Sequence, residues 1–186
     1  MTDRFDIRPL ARAHWKVLSK DTPTGTAADW VARLGLLVPS ALAGVLMYAF
    51  DGRLANTGVL LTAVSLLASG LLAVFAQLAS LRLKLTEWFD DGHPIADNDK
   101  AALDESATHV LVACMISFLN AAVLVAGMKF GPEGALSLRG PAAWISVSLF
   151  VYTLILAFML VPRLLYAYTM VNRVRDDLSG FYIRRR

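Results

Sequence analysis

The chain has 186 residues, 56% of them hydrophobic, and a mean hydropathy of +0.54, against roughly 45–50% apolar content in an ordinary soluble domain. Its 18 basic and 15 acidic residues leave a net charge of +3. The basic residues flank long apolar runs, so their excess reads as contact with anionic lipid and not with nucleic acid. The single cysteine, Cys114, lies inside an apolar run, which excludes an internal disulfide, a CxxC redox pair and a cysteine-based zinc site.

Residues 1–28 form a basic segment. Proline suits the first position of a helix, so Pro9 predicts a helix running to about Ser19. Leu10, His14, Val17 and Leu18 fall on one side of it, and Arg12, Lys16 and Lys20 on another. This pattern describes a short amphipathic helix, lying in the membrane surface or docked on the cytoplasmic ends of a bundle. The run from Asp21 to Thr26 breaks it, and Trp30 marks the interface. The first apolar run leads to Asp51-Gly52-Arg53 and not to a small-residue cleavage site, so no cleavable signal peptide is expected.

Four apolar runs then predict membrane spans at about 32–50, 58–80, 107–128 and 141–165. Each can cross the hydrocarbon layer as a helix. Pro39 in the first span and Pro162 in the fourth each remove a backbone donor, and are candidate kinks. Arg163 beside Pro162 is a candidate gate residue, or more simply reaches to the headgroups. The turn after residue 50 is short, which predicts a tight antiparallel hairpin of the first two spans. Helix character in the second span continues through Leu83, Leu85 and Trp88, and Asp91-Gly92-His93-Pro94 opposes its continuation.

The 81–106 connection is acidic. Asp90, Asp91, His93, Asp97 and Asp99 offer hard oxygen and imidazole ligands, but the spacing and closing glutamate of a calcium loop are missing. We therefore expect no dedicated metal site, and read the segment as a solvated loop that neutralises nearby bases, with weak divalent-ion binding at these residues as the alternative. Asp97 to Asp99 would cap a helix starting near Lys100 and running into the third span. The fourth helix continues toward Arg173 and Arg175, and Phe181, Tyr182 and Arg184 to Arg186 end the basic tail, 167–186, in a further lipid contact.

Of the 18 basic residues, all but Arg53, Lys129 and Arg139 lie on one side of this arrangement. The positive-inside rule then puts both termini in the cytoplasm. The expected fold is all-α: a polytopic membrane protein with a four-transmembrane-helix bundle (29–166), N-in/C-in, with a short amphipathic N-terminal helix and cytoplasmic helix extensions. A bacterial plasma membrane is the expected location.

Within the spans, Thr62, Ser65, Ser69, Ala73, Ala76 and Ser80 follow one another at spacings of three and four. That places small residues along one face of the second helix, where they permit close backbone approach. Ser40 with Gly44, and Ala122 with Ala126, add shorter small-residue pairs.

No Asp, Glu, Lys or Arg falls near the middle of a span, which argues against an ion-coupled transporter working as a lone subunit. The uncharged polar residues Thr62, Ser65, Ser69, Gln77, Ser117 and Asn120 suit either helix packing or the lining of an oligomeric pore. His109, at the cytoplasmic end of the third span, has the chemistry of a pH sensor. Enzyme motifs and cofactor-binding loops are missing, so neither an enzyme nor a cofactor is expected. The expectation is a small homo-oligomeric channel or pore-forming protein for ions or small solutes, gated from the cytoplasmic side. The alternative is a non-transporting scaffold, accessory subunit or assembly factor that binds a cytoplasmic protein partner.

Overall fold

The computed structural model describes residues 6–22, 25–88, 94–130 and 137–171. Helix α1 spans Arg8–Val17 and has Pro9 in its first turn. Strands β1 (Ser19–Thr22) and β2 (Gly25–Ala28) follow as an antiparallel hairpin, with Ser19 opposite Ala28 and Thr22 opposite Gly25. The chain then enters α2 (Trp30–Ala49), whose N-cap Asp29 accepts hydrogen bonds from the backbone N–H groups of Val31 and Ala32. A short strand β3 (Leu54–Ala55) leads into α3 (Thr57–Trp88). Helix α4 (Pro94–Phe130), strand β4 (Ser137–Leu138) and helix α5 (Pro141–Val171) complete the order.

Helices α2 to α5 are each long and apolar enough to cross a membrane, over Trp30–Ala49, Thr57–Lys84, Lys100–Phe130 and Pro141–Tyr166. Their surfaces agree with a lipid solvent. Val31, Leu42, Phe50, Val59, Leu66, Phe118, Phe158 and Val161 all point outward, with Phe158 75% exposed. In water such a continuous apolar surface would drive association. In a bilayer it needs no cover, and the backbone groups it carries are satisfied within each helix.

The helices pack in a row that departs from chain order. Helix α3 lies on α4, α4 on α5, and α5 on α2. The expected hairpin of the first two spans is therefore corrected: the turn between them is short, yet α2 seats on α5 and has little contact with α3. Two local features explain the departure. Asp51 (φ 45°) and Asn56 (φ 55°) take left-handed backbone conformations, which Asp and Asn tolerate better than most side chains. Between them β3 pairs with β4, Leu54 opposite Leu138 and Ala55 opposite Ser137, so the connection is drawn across to the start of α5.

Gly44 then lets α2 approach α5 closely. A side chain there would collide with Ser148 and press on the Trp144 carbonyl. Tyr48 closes the same interface edge-to-face on Trp144, ring centroids 4.8 Å apart. Ser40 is buried beside it and donates to the Leu36 carbonyl at 2.7 Å.

One core cluster, including Leu36, Leu71, Leu78, Leu103, Val110, Leu156 and Leu160, joins all four long helices and Leu18. A second, of Val64, Leu124, Leu138 and Ala143, lies toward the β3–β4 end. The inward positions of α3, Thr57, Val64, Ala68, Leu71 and Leu78, recur at helical spacing, which turns the remaining faces outward.

Helix α4 also starts earlier than expected, at Pro94 and not near Lys100, so the stretch that reads as a solvated acidic loop is helical from Pro94 onward. Proline is pre-organised for a first helical turn, and the missing donor is one a helix start does not use. At 37 residues α4 is about 55 Å long, longer than the roughly 30 Å hydrocarbon layer, so its first turns extend beyond the apolar span.

Candidate functional site

The polar chemistry of the molecule collects where α1 meets the bundle. Helix α1 packs against α4, which selects the docked form of the two arrangements its amphipathic sequence allows. Its apolar side carries Leu10, Val17 and Leu18 inward, and His14 goes in with them, only 3% exposed. The charged side, with Arg12 and Lys16, stays outside.

His14 has two partners. Its Nε2 lies 2.9 Å from the Tyr152 hydroxyl of α5, and its Nδ1 lies 3.2 Å from Nδ1 of His109 on α4. The two imidazoles stand edge-to-face at 89°, centroids 5.1 Å apart. Each contact needs one proton between two heavy atoms. One solution has the Tyr152 O–H donating to His14 Nε2 and His14 Nδ1–H donating to His109 Nδ1. The other reverses both bonds. Either way His109 Nε2, deeply buried on a residue 1% exposed, has no partner among the described residues. Burial also disfavours the charged form of His14 and lowers its pKa below the usual histidine value.

Arg33 at the start of α2 holds the C-terminal end of α1 in place. Its guanidinium donates to the carbonyls of Leu18 (3.2 Å) and Trp15 (2.9 Å) and to Ser19 Oγ (3.1 Å), and lies 5.3 Å from the Trp15 ring centroid. Carbonyls at a helix C-terminus lack intrahelical donors, so a forked cation there serves as their cap. Around this end Arg163 pairs with Glu105 at 3.2 Å and Arg82 with Asp104 at 3.1 Å. Both pairs are partly exposed, so their contribution to stability is small.

The sequence candidates separate into inward and outward groups. Ser117 and Asn120 are buried. Ser117 donates to the Ala113 carbonyl of its own helix, whereas Asn120 accepts a 2.6 Å bond from Ser146 of α5. Thr62, Ser65, Ser69 and Gln77 are exposed on α3, as are Ala73, Ala76 and Ser80, and Ala122 and Ala126 are exposed on α4. The polar set thus does not converge on one internal lining. Thr62, Ser65 and Ser69 each donate to the carbonyl four residues earlier, at 2.8–3.0 Å.

Pro39 lies within α2 and Pro162 within α5, and Arg163 reaches across to Glu105 instead of standing alone at the headgroups. Asp90, Asp91 and His93 lie outside the described residues. Asp97 and Asp99 fall within α4, their side chains outside what is described. No group of three or more metal-ligating side chains forms among the described residues.

Three contributors escape a reading of the sequence by spans: His14, Tyr152 and Arg33. His14 alone leaves a trace, as a histidine on the apolar side of an amphipathic helix. At the opposite end of the bundle a cavity of about 780 Å³ opens between Arg53, Phe130, Leu138 and Arg139, remote from the histidines.

No protein-family model, curated protein or solved structure matches the chain.

Proposed function

We propose that this protein is a multi-pass membrane protein, inserted with both termini in the cytoplasm, that self-associates into a small channel for ions or solutes gated from the α1 end. The observation that supports this reading is the outward face of α3. Thr62, Ser65, Ser69, Ala73, Ala76, Gln77 and Ser80 are all exposed there, on a helix at the end of the packed row. Small residues allow a second helix to approach closely, and uncharged polar groups suit a narrow conducting constriction. Four helices in one subunit are too few to enclose a wide conduit, so the conduction path in this reading lies on a symmetry axis between copies. Ser117 and Asn120 then hold α4 and α5 together and do not line it. Arg and Lys clusters at the α1 end contact anionic headgroups of a bacterial plasma membrane.

A second reading has one observation in its favour. The hydroxyls of Thr62, Ser65 and Ser69 are already satisfied by their own helix, so this face needs no water and also suits dry packing. That is the behaviour of a scaffold or accessory subunit bound to another membrane protein or to a cytoplasmic partner.

Subunit counting in nanodiscs, with ion flux from the same preparation in sealed liposomes, separates the two. A closed ring whose flux falls at least tenfold in a Ser65→Leu, Ser69→Leu double variant supports the channel. A monomer without flux rejects it and favours the scaffold.

A further inference from the structure

We propose that His14, His109 and Tyr152 form a proton-operated latch: α1 stays docked on the bundle while at most one imidazole is charged, and is released when both are.

The argument starts from the hydrogen-bond geometry. With both rings neutral, three protons serve the chain Tyr152–His14–His109 and every internal contact is made. One added proton is also accommodated. A charged His14 donates from Nε2 to the Tyr152 oxygen and from Nδ1 to the bare Nδ1 of His109. A second added proton has no place. Both Nδ1 atoms then carry hydrogens and face each other at 3.2 Å, and two like charges share a site that is 1–3% exposed. An acceptor is lost at the same moment that repulsion appears.

The surroundings do not relieve this. The cation near His109 is Arg163 of α5, and Arg33 of α2 sits on the Trp15 and Leu18 carbonyls of the α1 end. The two nearby carboxylates are engaged elsewhere, Glu105 with Arg163 and Asp104 with Arg82. No carboxylate bonds either imidazole among the described residues.

The element that can respond is α1. It is ten residues long, too short to be stable as an isolated helix, and it is held by His14, Leu18 and the Arg33 cap. The docked pair has a place for one added proton, and burial already disfavours charge on His14 there, whereas release restores the ordinary proton affinity of both rings. Docking is therefore complete above the ordinary histidine value of about 6.5 and is lost as the pH falls below it. The docking equilibrium weakens by up to about tenfold per pH unit for each proton the docked state does not accept.

The test is electron–electron distance spectroscopy on full-length protein in nanodiscs, with spin labels at Arg12→Cys on α1 and Val161→Cys on α5 in a Cys114→Ala background. Between about pH 8 and about pH 5, a narrow distance should give way to a broad second population below about pH 6.5. His14→Gln keeps hydrogen-bonding capacity without a titrating ring, and should stay docked throughout. Glu105→Gln should keep the transition, because the acid is not its source. An unchanged distance down to about pH 5, or a transition that persists in His14→Gln or in His109→Gln, overturns the latch. Nitrogen-15 spectra of imidazole-labelled protein without histidine substitutions give a readout that does not depend on how those variants fold. Two charged rings only in the released population support the latch, and two charged rings with α1 still docked overturn it.

Discussion

Asn120 and Ser146 meet across the α4–α5 interface at 2.6 Å, and both are buried. Interhelical hydrogen bonds in membrane proteins contribute about 0.6 kcal/mol on average and seldom more than about 1.7. Replacing only the donor leaves the asparagine oxygen buried and unpaired. Replacing the asparagine with an apolar side chain of similar size leaves a serine that can turn to its own helix. Ser146→Ala should therefore destabilise the bundle by about 1 kcal/mol and Asn120→Leu by less, an order that thermal unfolding in detergent can read. Gly44 and Gly35 make a second contrast on one helix. Space beside Gly44 is occupied by Ser148 and Trp144, and nothing lies within 4 Å of a side chain added at Gly35. Gly44→Leu should destabilise by about 2–3 kcal/mol through overpacking, and Gly35→Leu should leave the unfolding midpoint in place.

At the level of elements, α1 and its hairpin depend on contacts that lie far apart in sequence. Arg33 supplies three donors to the end of α1, and hydrogen bonds from a charged donor contribute about 1.5–3 kcal/mol when well shielded. With partial exposure, Arg33→Gln should weaken α1 docking by about 1–2 kcal/mol. Amide exchange of residues 10–18 should rise roughly tenfold or more, while exchange in α3 stays unchanged. The helices themselves were largely legible in sequence: the apolar runs and the positions of Pro9 and Pro141 place four long helices and the short amphipathic one. Two element-level features were not. Helix α4 begins at Pro94 because a proline opposes the continuation of one helix and starts another equally well. The β1–β2 hairpin joins polar residues whose pairing is a backbone property with no side-chain signature. At the candidate site His109 was readable as a histidine near a span end. The rest of the chain was not, since His14 is brought to it from 95 residues away, and Tyr152 to His14 from 138, only by packing.

For the molecule as a whole, the order α3–α4–α5–α2 leaves α3 and α2 at the ends of the row, and leaves the small-residue face of α3 outward. Orientation in the membrane is a separate quantity, and charge should decide it. In spheroplasts, a membrane-impermeant maleimide should label an Arg53→Cys variant from outside and an Arg12→Cys variant only after the membrane is opened. The reverse pattern would overturn the proposed N-in/C-in topology. What the sequence alone determined was the number of long apolar helices, their approximate limits and the side on which basic charge collects. Each of these depends on residues close together in the chain and on the cost of placing polar groups in lipid. Tertiary structure alone decided which helices are neighbours, that α2 seats on α5 through Gly44, and that His14 meets His109 and Tyr152. Those outcomes depend on how surfaces from distant segments fit, and apolar faces of similar composition carry no mark of which partner they will meet.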